Sequence, residues 1–418
     1  MWKKYADMEL TDGEFKKVEE IFQKCLPVAW SVDMFNFYLD YIRRMNNVLT
    51  GGEQARTTIS QAYEFVISVV GIDKDSGSIW ADYLDFVKSS QVLLLVNHYD
   101  LYQADAKWKE QQKMDQTRKI YQRAICMPLE NLETLWQSYN QFENDLNKTT
   151  ARKFVAEKSP AYMQARSALR QMRTIMGGLD RNKIPRPPTW TPPERQELDQ
   201  WKAWIEWEKS NPLILDNENA VYSRVIYAYK QAMMNMRFYP ELWYSAAEFA
   251  KSKGRESEAI EFMKNGIKAN KLSFLLHYQF VENEEANHRI TEVRSTLESL
   301  INNVSQEYEK MNKMAEFMKL QLAAEDEADT KQLAEAAEAE RIAIVEKQRR
   351  RKAQRELIDR EHETRVEKIA EEASNAWIVL MHAIRRAEGI KSARQIFAKA
   401  RKAKPLSHHI FVASGIFT

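Results

Sequence analysis

Two cysteines in 418 residues, Cys25 and Cys126, are too few for a disulfide framework or a cysteine-rich zinc site. Each sits where the pattern reads as helix core, which fits a reducing interior. Glycine and proline are scarce as well, 11 of each, so few positions can break a helix or form a tight turn. Charge of one sign is also missing: the formal net charge is +2, which excludes a polycation that coats nucleic acid, so any RNA contact must come from a local patch. No apolar run approaches the roughly 18 residues needed to span a bilayer, and the opening residues do not read as a signal peptide. The expectation is a soluble intracellular protein with no membrane partner.

Aromatic and helix-forming residues are abundant. Hydrophobic residues make up 44% of the chain and charged residues 29%, with 17 Tyr, 17 Phe and 11 Trp. With so few breakers, this composition predicts long helices and an all-α fold. A motif recurs in which bulky residues follow one another at steps of three, along one helical stripe. It appears as Trp2-Tyr5-Met8-Glu9, Phe35-Tyr38-Tyr41, Trp80-Tyr83-Phe86 and Trp136-Tyr139-Phe142-Glu143. It continues as Trp201-Trp204-Trp207-Glu208, Trp243-Ala246-Phe249, Leu275-Tyr278-Val281-Glu282 and Trp377-Leu380-Ala383.

A second motif pairs with the first. Val18–Cys25, Thr117–Ala124 and Ala393–Ala400 superimpose, and weaker copies start at Ala259 and Val293. Its small residues let a partner helix approach, while the Ile-aromatic pair fills the gap. Each unit is then a helix A and a helix B, and neither can bury its face without stacking on neighbours. Starts of helix A are spaced by 33, 45, 56, 65, 42 and 32 residues from Trp2 to Leu275, so some helices must be long. The architecture expected is an α-solenoid of half-a-TPR (HAT-like) helix pairs, anchored by Trp2, Tyr5, Phe35, Tyr38, Trp80, Tyr83, Trp136, Tyr139, Trp201, Trp204, Trp243 and Trp377.

Five of the 11 prolines fall within 182–194, which cannot be helix interior. That segment reads as a hinge between an amino-terminal repeat block (1–181) and a carboxy-terminal one. The second block starts at 195–302 and resumes at 373–418. Between them, 303–372 lacks the aromatic motif and reads as a charged helical or disordered insertion. Ala323–Glu340 carries seven acids and one Lys; Arg341–Arg360 carries eight bases and three acids. Lys347, Arg349, Arg350, Arg351 and Lys352 form its densest basic run. A solvated helix face, a nuclear-import signal and an RNA-phosphate contact all remain open for it.

Chemistry-bearing constellations are missing. There is no Gly-rich phosphate loop, nucleophile elbow or paired metal-ligand spacing. His408 and His409 are adjacent, so on a helix their rings should diverge by about 100° rather than chelate one ion. Glu9, Glu143, Glu208 and Glu282 recur with the repeat and read as interhelical hydrogen-bonding residues. No enzymatic activity, cofactor or metal is expected.

Several segments are more specific than a generic repeat. KAWIEWEKSNPL at Lys202–Leu213, preceded by PRPPTWTPPE, resembles the large HAT-repeat subunit of cleavage stimulation factor and its yeast counterpart in cleavage factor IA, the Suppressor-of-forked family. GLDRN at Gly178–Asn182, RKIYQRAICMP at Arg118–Pro128, RRAEGIKSARQIFAKAR at Arg385–Arg401 and SHHIFVAS at Ser407–Ser414 are similar too. The resemblance implies a nuclear scaffold, also cytoplasmic at times, for cleavage and polyadenylation of pre-mRNA. It also implies other cleavage-factor subunits as partners, including one with RNA-recognition motifs, and a homodimer through the carboxy-terminal block; RNA contact would be mostly indirect.

Three departures from that family qualify the expectation. The chain opens on a helix that resembles the family's second repeat and stops near the ninth helix A, so it reads as an incomplete chain with apolar surface open at both ends. The insertion is the third. Competing readings are a crooked-neck-like scaffold of the spliceosome, which has more regular spacing, and a direct RNA-binding protein using the basic run.

Overall fold

The computed structural model describes residues 2–89, 101–333 and 338–416, and every regular element among them is helical. The helices alternate as A and B partners. They run α1 (Trp2–Thr11) with α2 (Phe15–Cys25), α3 (Val32–Met45) with α4 (Val48–Val70), α5 (Gly77–Lys88) with α6 (Leu101–Ala124), and α7 (Leu132–Leu146) with α8 (Lys148–Met176). Then come α9 (Pro192–Lys209) with α10 (Glu218–Asn235), α11 (Pro240–Ser252) with α12 (Glu256–Ala269), α13 (Phe274–Ala286) with α14 (Ile290–Leu333), α15 (Glu338–Glu388) with α16 (Ile390–Ala400), and α17 (His409–Ile416). The irregular spacing resides mainly in B helices: α4, α6 and α8 have 23, 24 and 29 residues against 11 in α2. Residues 90–100, which include His98, and 334–337, which include Glu335 of the acidic run, lie outside the described residues.

Two kinds of A-to-B turn recur. Between α1 and α2, Gly13 takes φ +78°, and Glu14 N–H reaches back to Glu9 O while Gly13 N–H bonds Leu10 O. Gly254 repeats this between α11 and α12, and His288 (φ +58°) between α13 and α14, where Arg289 N–H bonds Glu284 O. This is a Schellman turn, whose left-handed residue caps the last carbonyls. The α3–α4, α7–α8 and α9–α10 turns use an asparagine instead: Asn47, Asn147 and Asn217 each accept a bond from the N–H two residues on. Such caps satisfy amides that have no partner within the helix.

The chain divides into two compact units, Met1–Phe238 and Tyr239–Thr418. In the first, Trp80, Trp201, Trp204, Tyr63, Tyr83, Tyr121 and Tyr139 are among the largest fully buried side chains. Tyr63 and Tyr83 stack at 4.9 Å, and Trp136 stacks on Tyr162 at 4.3 Å. Such pairs add about 0.5–1.5 kcal/mol beyond burial. The proline-rich segment 182–194 lies inside this unit, and the division falls after Phe238. Side chains bridge the segment: Trp207 Nε1 donates to Gln171, and Gln164 donates to the Pro212 carbonyl.

In the second unit Val293, Leu297, Leu300 and Val304 of α14 share a core with Trp377, Leu380, Met381 and Ile384 of α15, with Val281, Ile396 and Ile410. Both helices then run on together. The segment 303–372 is helix over 303–333 and 338–372, so helix B of the seventh unit and helix A of the eighth are extended into one antiparallel hairpin. Its pairs descend on one arm as they climb the other: Asn312 with His362, Lys319 with Asp359, Asp326 with Arg355, and Thr330 with Gln348. At 1.5 Å per residue the arm from Val304 to Leu333 is roughly 45 Å long.

Candidate functional site

The A-helix stripes place most of the anticipated anchors in the packing. Phe35, Trp80, Tyr83, Tyr139, Trp201, Trp204, Trp243 and Trp377 are buried, and Tyr38 and Trp136 are half-buried. Trp2 and Tyr5 depart from the pattern, being 41% and 44% exposed. Ala6 and Glu9 are the buried positions of α1, which packs on α2 and α3, and Met8 of the same stripe is 52% exposed as well.

Each recurring glutamate carries a cation. Glu143 takes a bidentate grip from Arg118 at 2.7 and 3.1 Å, and Glu208 one from Arg224 at 2.9 and 2.8 Å. Glu9 pairs with Lys17 at 3.5 Å. In the seventh unit the frame must be corrected. Glu282 is exposed, and the buried carboxylate is Glu284, 3.3 Å from Arg289. The sequence signal was available: Tyr5/Glu9, Tyr139/Glu143, Trp204/Glu208 and Phe280/Glu284 all stand four apart, one helical turn. Phe280, not Tyr278, is the central aromatic there. Tyrosines of the stripe face acids too; burial first, then Glu19 or Glu64, pushes Tyr41 and Tyr83 up to about 12.

One polar cluster escaped the sequence reading. Asp73 caps the turn before α5 and accepts the Asp75 N–H at 2.9 Å. It also takes Arg181, from the GLDRN segment, and the Tyr227 hydroxyl at 2.5 Å. Arg181 further bonds Asp75 at 3.0 Å and Gln231 at 3.2 Å, and Gln231 donates to the Trp30 carbonyl. Burial alone would raise the Asp73 carboxyl, but the Arg181 charge and these donors outweigh it and hold Asp73 below the usual range. This cluster locks four distant segments of the first unit together, with Arg181 Nε left as a buried donor without a partner.

The basic run lies on the α15 arm of the hairpin. Lys347, Arg349, Arg350 and Lys352 are exposed. Arg351 is not: it turns into the seam and meets Glu325 at 3.1 Å, Asp326 at 3.0 Å and Asp329 at 2.6 Å. Arg355 beside it binds Asp326 and the Leu322 carbonyl. The acidic and basic runs that look like separate low-complexity tracts are therefore two sides of one interface.

The histidines also need a correction. His408 precedes α17 rather than lying in it, so its ring sits beside that of His409, centroids 4.2 Å apart, instead of diverging. Among the described residues, no group of three or more His, Cys, Asp and Glu side chains is arranged to hold a metal ion.

A family model described as Suppressor of forked protein (Suf) matches residues 1–418. The chain belongs to the Suppressor of forked family. Within this family's reach, it is 38% identical over 416 residues to "mRNA 3'-end-processing protein rna14" of Schizosaccharomyces pombe, covering 100% of this chain and 51% of that one. It is 35% identical over 420 residues to "mRNA 3'-end-processing protein RNA14" of Yarrowia lipolytica, covering 100% and 45%. The chain thus spans about half the length of these relatives. Among solved structures, the crystal structure of CstF-77 aligns with a TM-score of 0.58 at 15% identity, over 99% of this chain and 68% of that one. That likeness is one of fold, and it places the A/B helix pairs among helical-repeat solenoids.

Proposed function

We propose that this Suppressor of forked chain is a non-catalytic scaffold of pre-mRNA 3′-end cleavage and polyadenylation, acting in the nucleus. The observation that carries the reading is identity along the whole chain to relatives named as mRNA 3'-end-processing proteins. The physics agrees with it. Aromatic and charged residues that recur with the repeat are consumed in stacking helices, and a stacked array leaves long faces for partners. The partners are other subunits of the processing machinery.

Affinity purification of the tagged chain from nuclear extract, followed by mass spectrometry, tests this. The expected outcome is recovery of cleavage and polyadenylation subunits. Recovery of spliceosomal proteins in their place would overturn the reading.

A further inference from the structure

The outward edge of α15 holds charge that the packing leaves unused. From Val345 to Arg355 six residues are Lys or Arg and one is acidic. Arg351 and Arg355 face the seam, and between them they occupy Glu325, Asp326 and Asp329 of α14. The other four remain outside. Among the described residues, Lys347, Arg349 and Lys352 have no acid within ion-pair distance, and Arg350 has only Glu346, at 3.9 Å. Lys347 and Arg350 are three residues apart, as are Arg349 and Lys352; at about 100° per residue the two pairs lie on opposite flanks of α15, so the four charges wrap the surface that the seam leaves outside.

We propose that this outer surface of α15 binds the phosphate backbone of single-stranded RNA, with Lys347, Arg349, Arg350 and Lys352 as contacts and Arg351, turned into the seam, not among them. The choice of RNA as the anion rests on the 3′-end-processing reading; the charge arrangement does not. Mobile cations on a rigid rod neutralise successive phosphates and release their counterions, which gives affinity without base reading. The hairpin also disfavours the competing reading of a nuclear-import signal. A peptide read in extended form would have to unwind this helix and break the Arg351 and Arg355 pairs.

The test is fluorescence anisotropy of the whole chain with a labelled oligouridine across a salt titration. Each phosphate contact on a single strand contributes about 0.7 to the slope of log affinity against log salt. Replacing the four residues together (Lys347→Gln, Arg349→Gln, Arg350→Gln, Lys352→Gln) should therefore shrink the slope by about 3 and lower affinity at least tenfold at low salt. Arg351→Gln should leave the slope unchanged, with circular dichroism reporting helix content in both variants. An unchanged slope in the fourfold variant, or an equal loss in Arg351→Gln, overturns the proposal. So does capture of an import receptor by the parent but not the fourfold variant when the RNA slope is unmoved. Because RNA is read directly, a null here leaves the scaffold reading standing, and failure to recover processing subunits would leave this result standing.

Discussion

In the α9–α10 pair, Trp201 and Trp204 are fully buried and an ion pair at the contact, Arg224 with Glu208, is buried with them. In the α14–α15 hairpin beyond the solenoid core, the inward positions are Tyr308, Met311, Ala315, Lys319, Leu322, Asp326 and Asp329 on one arm. They face Ile344, Gln348, Arg351, Arg355, Ile358, His362 and Val366 on the other. Both sets step by three and four, the seam of an antiparallel coiled coil. The repeat body is held by aromatic burial, whereas the outer hairpin joins a narrow aliphatic seam, with Ala315, Leu322 and Ile344 buried, to ion pairs near solvent. Buried aromatics are indifferent to salt; partly exposed ion pairs are screened by it. The two regions should therefore fail under different conditions.

The largest effect is expected in the repeat body. Trp80 is buried and donates its indole N–H to the Gly71 carbonyl at 2.9 Å. Trp80→Ala should cost about 4 kcal/mol, as large-to-small aromatic truncations do, measured by urea unfolding followed by circular dichroism. A loss that high salt abolishes would break the contrast. Asp73→Asn comes next, at about 3 kcal/mol, because it leaves Arg181 buried with a weakened partner. The sign with pH follows from its depressed carboxyl. That stability is present above the unfolded carboxylate value of about 3.9 and is lost as pH falls below it. Asp73→Asn should therefore flatten the acid limb of unfolding; an unaltered limb would remove Asp73 from the lock.

How much of this was readable depends on distance along the chain. The stripes of α5, α7 and α9 were legible because the residues that pack are one turn apart. Helix B of the second, fourth and fifth units was not, because α4, α8 and α10 bury Ala62-Tyr63, Ala168-Leu169 and Ala228-Tyr229 in place of the Ile-aromatic pair that marked the clearest copies. Asp73 and Arg181 stand 108 residues apart, and no periodicity links them. The hairpin was a different failure. Its charges were plain, but searching for an aromatic stripe hid a polar heptad, in which Arg351 belongs to the seam and its neighbours do not.

Smaller effects sharpen the contrast from the hairpin side. Arg351→Gln should cost little, since pairs near solvent contribute little. The loss should show as faster hydrogen exchange in the arms of α14 and α15, with global unfolding unmoved. Raising salt should mimic it in the parent chain.

The smallest effect concerns the A-to-B turns. His288 holds the left-handed position that Gly13 and Gly254 hold elsewhere. A side chain there costs about 1–2 kcal/mol, while glycine gives back about 0.5–1 kcal/mol in chain entropy. His288→Gly should then stabilise the second unit by about 0.5 kcal/mol, and Gly254→Ala should destabilise it by about 1 kcal/mol. Both are read as shifts in the urea midpoint. If His288→Gly lowers the midpoint instead, the imidazole contributes a contact that outweighs its strain, and the two turns are alike in backbone only.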